Sequence, residues 1–298
     1  VGRRLLGVAA ACVVAVGLLF VSPLLLAEGS LPKPSYSSFV DWQKNRITID
    51  ASVEVSSLAT MVPDARSKAE QLIRADQTSM IENTLFPIVA DSFHTVGDLA
   101  STSARTFTAL QNLIKPGNEQ YAKLSTDLSK VTVRYQIPIF PNLGSIFVNQ
   151  IKANPPNPLL GFVPTTKFSG IVIYAKGELP VHGESRNSEL EPSLFPRIWD
   201  QNMDLLASAD TVDPKVLRGE GMAAFSDNTD EKPFTSRIGL VPFHTVAVGI
   251  FGKHPTDVII SNQAAARILA SPDNIRLLTE GRILIITDLP RPNVTSGG

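Results

Sequence analysis

The chain has 298 residues, of which 27 are basic and 28 acidic, giving a formal net charge of −1 without any basic run. Phosphate binding needs clustered Lys and Arg, so nucleic acid is excluded as a partner class. A hydrophobic content of 43% against 18% charged residues describes a folded chain, and the length suits two domains behind an N-terminal segment. The low charge also hints at apolar surface that a partner covers.

Residues 1–29 open with Arg3 and Arg4, continue as an apolar stretch from Leu5 to Ala27, and end at the polar Glu28 and Gly29. A charged start, a hydrophobic run and a small residue before a polar segment are what a secretory translocase reads. The expectation is an export signal cut after Ala27, which would place the rest in the periplasm or bacterial envelope. The alternative is an uncleaved membrane anchor, because as a helix the run would measure about 35 Å. Pro23, near its end, favours cleavage. The single cysteine, Cys12, lies inside the run and reads as a small apolar residue rather than a lipid-attachment site.

After a polar, Pro-containing lead over Gly29–Ser38, residues Ile47, Ile49, Ala51, Val53 and Val55 alternate with Thr48, Asp50, Ser52 and Glu54. This is the period of a strand with one wet face. Pro63 and Asp64 open a helix whose apolar positions, Ala65, Ala69, Leu72, Ile73, Met80 and Ile81, continue towards Pro87. A second helix is predicted from Val96 to Ile114, ahead of Pro116-Gly117. Alternation returns at Val131, Val133, Tyr135, Ile137 and Ile139, predicting a strand over 130–140. These elements make a first α+β module over 39–151. Residues 152–164 hold Pro155, Pro156, Pro158 and Pro164 and read as a linker. A β-rich second module over 165–289 follows, with strands at 170–175, 194–199, 245–251, 257–260 and 282–287. A short helix over 262–270 is capped by Ser261 or Asn262. Residues 290–298 form a loose tail. The fold class is α+β.

Four stretches of the second module, Phe168–Gly177, Pro192–Asp200, Val246–Asn262 and Leu278–Asp288, resemble a bacterial envelope family related to FlgP-type flagellar lipoproteins. In the first module, Ala65–Thr95, running into His94-Thr-Val-Gly-Asp98, is similar to the helix of that family's strand-helix-strand-strand module. The resemblance implies export, frequent outer-membrane anchoring, and a scaffolding role such as a ring or disk around a flagellum or another envelope machine. It brings no catalytic residues. The chain departs from the family in lacking a convincing lipid-attachment cysteine, which puts outer-membrane tethering in question.

The residues do not assemble a complete catalytic or metal-binding pattern. His94, His182, His244 and His254 have no paired metal spacing, and His182-Gly-Glu184 supplies at most two ligands where a site needs three. His254, three residues before Asp257, could be an oriented base, but Lys253-His-Pro-Thr256 reads more simply as a turn joining two strands. Gly249, Gly252 and Lys253 fail the phosphate-loop pattern, because Ala247 and His254 stand where it needs Gly and Ser or Thr. Gly219-Glu-Gly221 lacks the third glycine of a dinucleotide site. No nucleophile elbow is present, Glu189 and Glu191 sit in a polar loop, and the Asn293-Val-Thr295 sequon lies on the tail.

The reading is therefore a non-enzymatic exported protein with no cofactor and no metal. Its partners would be other envelope proteins or copies of itself, with the membrane reached through the N-terminal segment if that is uncleaved. Strand edges of the second module would pair with a neighbour. Phe195, Arg197, Lys253, His254 and Asp257 are the candidate interaction surface. A glycan- or lipid-binding module is the alternative, with Tyr174, Phe195 and Trp199 as an aromatic platform.

Overall fold

A computed structural model describes residues 32–55 and 62–291. The export segment, Cys12 and the sequon lie outside the described residues. Among the described residues no helix is long and apolar enough to cross a membrane.

The first module is an antiparallel sheet of β1 (Ser35–Asp41), β2 (Arg46–Glu54), β3 (Glu119–Leu124) and β4 (Lys130–Pro138), in the order β1-β2-β4-β3. The two central strands carry the predicted alternation, and their register explains it. Ile47 faces Ile137, Ile49 faces Tyr135, Ala51 faces Val133 and Val53 faces Val131, all buried. The opposite face is polar, and Arg134 grips Asp50 through two contacts of 2.6 Å.

Helices α1 (Val62–Ala75), α2 (Gln77–Thr84), α3 (Val96–Ser101) and α4 (Ala104–Gln111) lie between β2 and β3 in the chain. Each predicted long helix is two shorter ones. Asp76 leaves helical geometry, and its carboxylate accepts from Tyr36 Oη at 2.7 Å and from Ser79 Oγ at 2.5 Å. Ser103 is extended and its hydroxyl caps α4 through the Thr106 N–H. Both are short polar side chains that compete with the helical backbone for hydrogen bonds.

The second module has a seven-stranded mixed sheet. In chain order its strands are β5 (Ile171–Tyr174), then, after a separate hairpin of β6 (Leu179–Pro180) and β7 (Asn187–Ser188), β8 (Ile198–Trp199), β9 (Leu205–Ala207) and β10 (Ala224–Ser226). They continue with β11 (Phe243–Phe251), β12 (Asp257–Ile260) and β13 (Ile283–Ile286). The order is β10-β13-β5-β11-β12-β8-β9. β10, β13, β5 and β11 pair in parallel, which accounts for apolar runs such as Ile283-Leu-Ile-Ile286 in place of alternation.

Helices α5 (Pro214–Glu220), α6 (Thr235–Ile238), α7 (Asn262–Leu269) and α8 (Pro272–Thr279) complete it. Leu217, Ala264, Ala265, Ile268, Leu277 and Leu278 close a core on one face of the sheet. Ser261, not Asn262, caps α7. The α+β expectation therefore holds, with a strand-helix first module and a β-rich second part.

One expectation about edges needs correcting. The outer strands of the second-module sheet, β10 and β9, are three residues long, too short to template a neighbour. Among the described residues the longest edge strand without a second strand partner is β1, whose first half, Ser35–Ser38, falls in the predicted polar lead.

Residues 152–164 carry no helix or strand, but they do not swing free. The Asn154 N–H donates to the Asp210 carbonyl at 2.8 Å and the Leu159 N–H to the Leu269 carbonyl at 3.0 Å.

The two cores meet. Leu194, which follows the linker in the chain, is buried in the first module's core, and Trp42 and Phe195 pack against both. Leu194→Ala should destabilise the protein by about 2–5 kcal/mol. Because Leu194 carries the second module's chain into the first module's core, urea unfolding of the variant should split into two transitions or shift as one well below wild type. An unchanged midpoint would show that Leu194 does not anchor the second module in the first core.

Candidate functional site

The five candidate residues come from two distant stretches, and the fold brings both against one loop of the first module. Val89 and Thr95 form a bridge, and the Asp91 carboxylate accepts the N–H groups of Phe93 and His94 and the His94 ring, shaping residues 89–95 into a tight turn. The 192–200 segment binds one side of it. The Leu194 N–H donates to the Val89 carbonyl at 3.3 Å and the Phe195 N–H to the Ala90 carbonyl at 2.8 Å. The turn between β11 and β12 binds the other side, with the His254 N–H donating to the Ser92 carbonyl at 3.1 Å.

Asp257 sits at the centre of this seam and is completely buried. Its Oδ2 accepts Trp199 Nε1–H at 2.9 Å and the Ser92 hydroxyl at 3.1 Å, and its Oδ1 accepts the Arg197 N–H at 3.2 Å and the Thr256 hydroxyl at 3.3 Å. One carboxylate thus ties Ser92 of the first module to three donors of the second. Burial raises its pKa above the ordinary carboxyl value, and the donors and the nearby Arg197 charge offset this only in part. Gly252 makes the approach feasible. Its φ is +116°, and a Cβ there would collide with Ser92.

Asp257 is therefore not a surface residue, a correction to its place among the candidates; it is an internal clasp. Phe195 is largely spent in packing, its ring edge-on to Phe140 at 6.2 Å. His254 faces Glu191 at 3.4 Å rather than Asp257, and the 253–256 segment is the turn that the sequence suggested. Lys253 is exposed and lowers the Asp98 pKa by a through-space contribution that is smaller than the Thr95 hydrogen bonds.

Arg197 is half-buried, and its guanidinium makes no hydrogen bond or ion pair with another described residue. It lines a groove of about 410 Å³ along the seam with Asp91, Phe147, Phe195, Trp199 and Leu205.

The three-ring platform does not form. Tyr174 lies elsewhere on the sheet, stacked on His244 at 6.1 Å and donating to Glu231 at 2.8 Å. Trp199 faces Phe251 at 6.3 Å, in a cluster that also holds Phe93 and His182. Gly221 ends α5 with φ +72°, and its carbonyl accepts from the half-buried Arg237 guanidinium at 2.6 Å, so Gly219-Glu-Gly221 serves as helix termination. Among the described residues no three His, Cys, Asp or Glu side chains are grouped to hold a metal ion.

Sequence reasoning missed Ser92 and Leu194. Ser92 follows Asp91 in a turn with no periodicity, and Leu194, which opens the predicted 194–199 strand, sits with Phe195 between Pro192 and Pro196 without any sign of which core it enters. Only the flanking turn residues and prolines signalled that these segments were fixed in shape.

The fold and seam define a two-module α+β protein whose halves are locked by buried polar and apolar contacts. Residues 33–146 match the family model described as Treponema pallidum Tp0624, N-terminal domain, and residues 170–289 match the model described as Treponema pallidum Tp0624, second domain. Between them the two matches span both modules, in chain order, and identify similarity to a bacterial family. No curated protein matches the chain.

Asp257→Asn tests the clasp. The raised folded-state pKa means that the fold favours the protonated carboxyl. Its contribution to stability is complete below the ordinary value of 3.8 and declines as pH rises through the raised pKa. Asparagine has no such proton, and its NH2 group faces two donors it cannot accept, at a cost of about 1–3 kcal/mol. The stability difference between wild type and variant, from urea unfolding at a series of pH values, should shrink as pH rises above about 4 and then level off. A difference independent of pH would contradict this assignment.

Proposed function

We propose that the chain is an exported, non-enzymatic protein of the bacterial envelope that works as a structural or assembly component, with a flagellum-associated machine as one setting. The export reading rests on the Arg3-Arg4 start and the Leu5–Ala27 run. The assembly reading is carried by one observation, the contrast between the two edges of the first-module sheet.

Edge β3 is protected. It has a bulge between Glu119 and Tyr121, it carries Lys123, and Arg66 Nη2 donates to its Ala122 carbonyl at 3.1 Å. Edge β1 has none of these. Its register with β2 runs unbroken from Ser35–Ser52 to Asp41–Arg46, and Ser35–Asp41 contains neither proline nor a basic residue. Natural sheets blunt exposed edges with bulges, lysine and proline, so an unprotected edge of this length is suited to strand addition.

The sequence suits pairing with a second copy. In a two-fold antiparallel pairing centred on Ser38, Tyr36 faces Val40 of the other copy, an aromatic and β-branched pair on the side that packs on the core. Ser35 then faces Asp41, so the strand's only charge does not meet its own kind.

In a Cys12→Ser background, Ser38→Cys should cross-link the full chain into a dimer under mild oxidation, while Lys123→Cys should not. Ser38→Lys, which sets like charges opposite each other, should lower the mass seen by native mass spectrometry to that of a monomer. A larger assembly that neither variant affects would remove β1 from the contact, and a monomer at every concentration would remove self-association. Cell fractionation of a tagged full chain tests the envelope reading separately, since recovery in the cytosol would overturn it.

A second reading, a periplasmic glycan- or lipid-binding module, is favoured by the groove that holds the Arg197 guanidinium beside Phe195 and Trp199. Anionic peptidoglycan fragments should then bind the wild type and bind Arg197→Ala at least about tenfold more weakly, as measured by calorimetry. Equal binding by both would leave the groove without this role.

A further inference from the structure

The most exposed large apolar side chains lie in the proline-rich segment between the two family matches. Leu160 is 98% exposed, Ile151 95% and Phe162 91%. Leu160 and Phe162 flank Gly161, whose φ of +116° and open surroundings make it the tip of a turn.

This tip is held, not loose. Behind it, the Leu159 N–H donates to the Leu269 carbonyl at 3.0 Å and Thr165 Oγ1 to the Arg267 carbonyl at 2.9 Å. Asn274, fully buried in α8, closes the base: its Nδ2 donates to the Thr166 carbonyl at 2.9 Å, and its Oδ1 accepts the Phe168 N–H at 3.1 Å. A buried asparagine and the end of α7 are thus used to present two aliphatic and aromatic side chains to solvent.

We propose that the Leu159–Phe162 turn is a membrane-contact loop, which seats Leu160 and Phe162 at the boundary between headgroups and acyl chains of a bilayer. The composition of residues 151–164 favours a bilayer over a protein groove. Pro155, Pro156, Pro158 and Pro164 have no N–H, so the segment brings fewer unpaired donors into a region without water. It contains no acidic residue, and its only charge, Lys152, suits an anionic headgroup. Phe and Leu on a protruding tip are the side chains that interfacial segments insert. The inference rests on the envelope reading for the presence of a membrane, but its test does not depend on where the cell keeps the protein.

The test uses the full chain with Cys12→Ser and Phe162→Cys, so that the fluorophore NBD labels position 162 alone. The labelled protein is reconstituted into phosphatidylethanolamine–phosphatidylglycerol vesicles. The expected result is a blue-shifted emission relative to detergent-free buffer, quenching by nitroxide-bearing lipids, and a several-fold loss of quenching by aqueous iodide. Adding Leu160→Asp, a change at a solvent-exposed position that leaves the fold intact, should return the emission towards its value in water. Unshifted emission with full iodide quenching would overturn the proposal. A blue shift with iodide protection but no quenching from lipid would also overturn it, since a protein surface would then be covering the tip. Either failure would leave the envelope reading standing, because that reading is decided by fractionation.

Discussion

The Asp257 carboxylate is the constraint on which the arrangement of the two modules depends. A carboxyl group cannot be buried without partners, and this one has four, drawn from Ser92, Arg197, Trp199 and Thr256. Each donor fixes a different piece of chain. Trp199 and the Arg197 amide fix β8 and the segment before it, Thr256 fixes the turn into β12, and Ser92 fixes the loop of the first module. The raised pKa expresses how far burial outweighs these donors. Gly252 belongs to the same device, because only a residue without a side chain lets Ser92 come so close.

Around the clasp the apolar contacts follow the same division of labour. Leu194 crosses into the first core, and Phe140 of the first module lies against Phe195 and over Gly221 of the second. Arg218 adds hydrogen bonds to the carbonyls of Val148 and Gln150, just before the proline-rich segment. A chain with two cores is thereby made into one body, although the proline-rich stretch between them reads as a linker.

What was legible in the sequence follows from which interactions are local. Strands β2 and β4 could be read because one face is wet, so that every second residue reports burial. Strands β5, β12 and β13 could be read as apolar runs because they are covered on both faces. The breaks at Asp76 and Ser103 were missed because the apolar period continues through them while a side chain diverts the backbone. Strand β1 was missed because serines and Pro34 mask its pattern, and α5 and α8 because each is short and begins at a proline, a residue read as a breaker. Of the candidate site, the segments were legible and their roles were not. Whether Asp257 faces water or Ser92 depends on a contact between residues 165 positions apart.

This division also governs how the surface should be read. Side chains that the seam needs are hidden, so the parts free to meet a partner are those it does not use. They are an edge strand with no protective residue, a half-buried guanidinium in a groove, and a turn that holds Leu160 and Phe162 clear of the fold. Exposing apolar groups in this way carries no folding benefit, and ordering the turn costs conformational entropy that Asn274 must offset through its hydrogen bonds. Tolerance alone would favour a loose polar loop there, which could be solvated without any buried support. A fold that fixes an apolar tip from beneath therefore points to selection for what the tip touches.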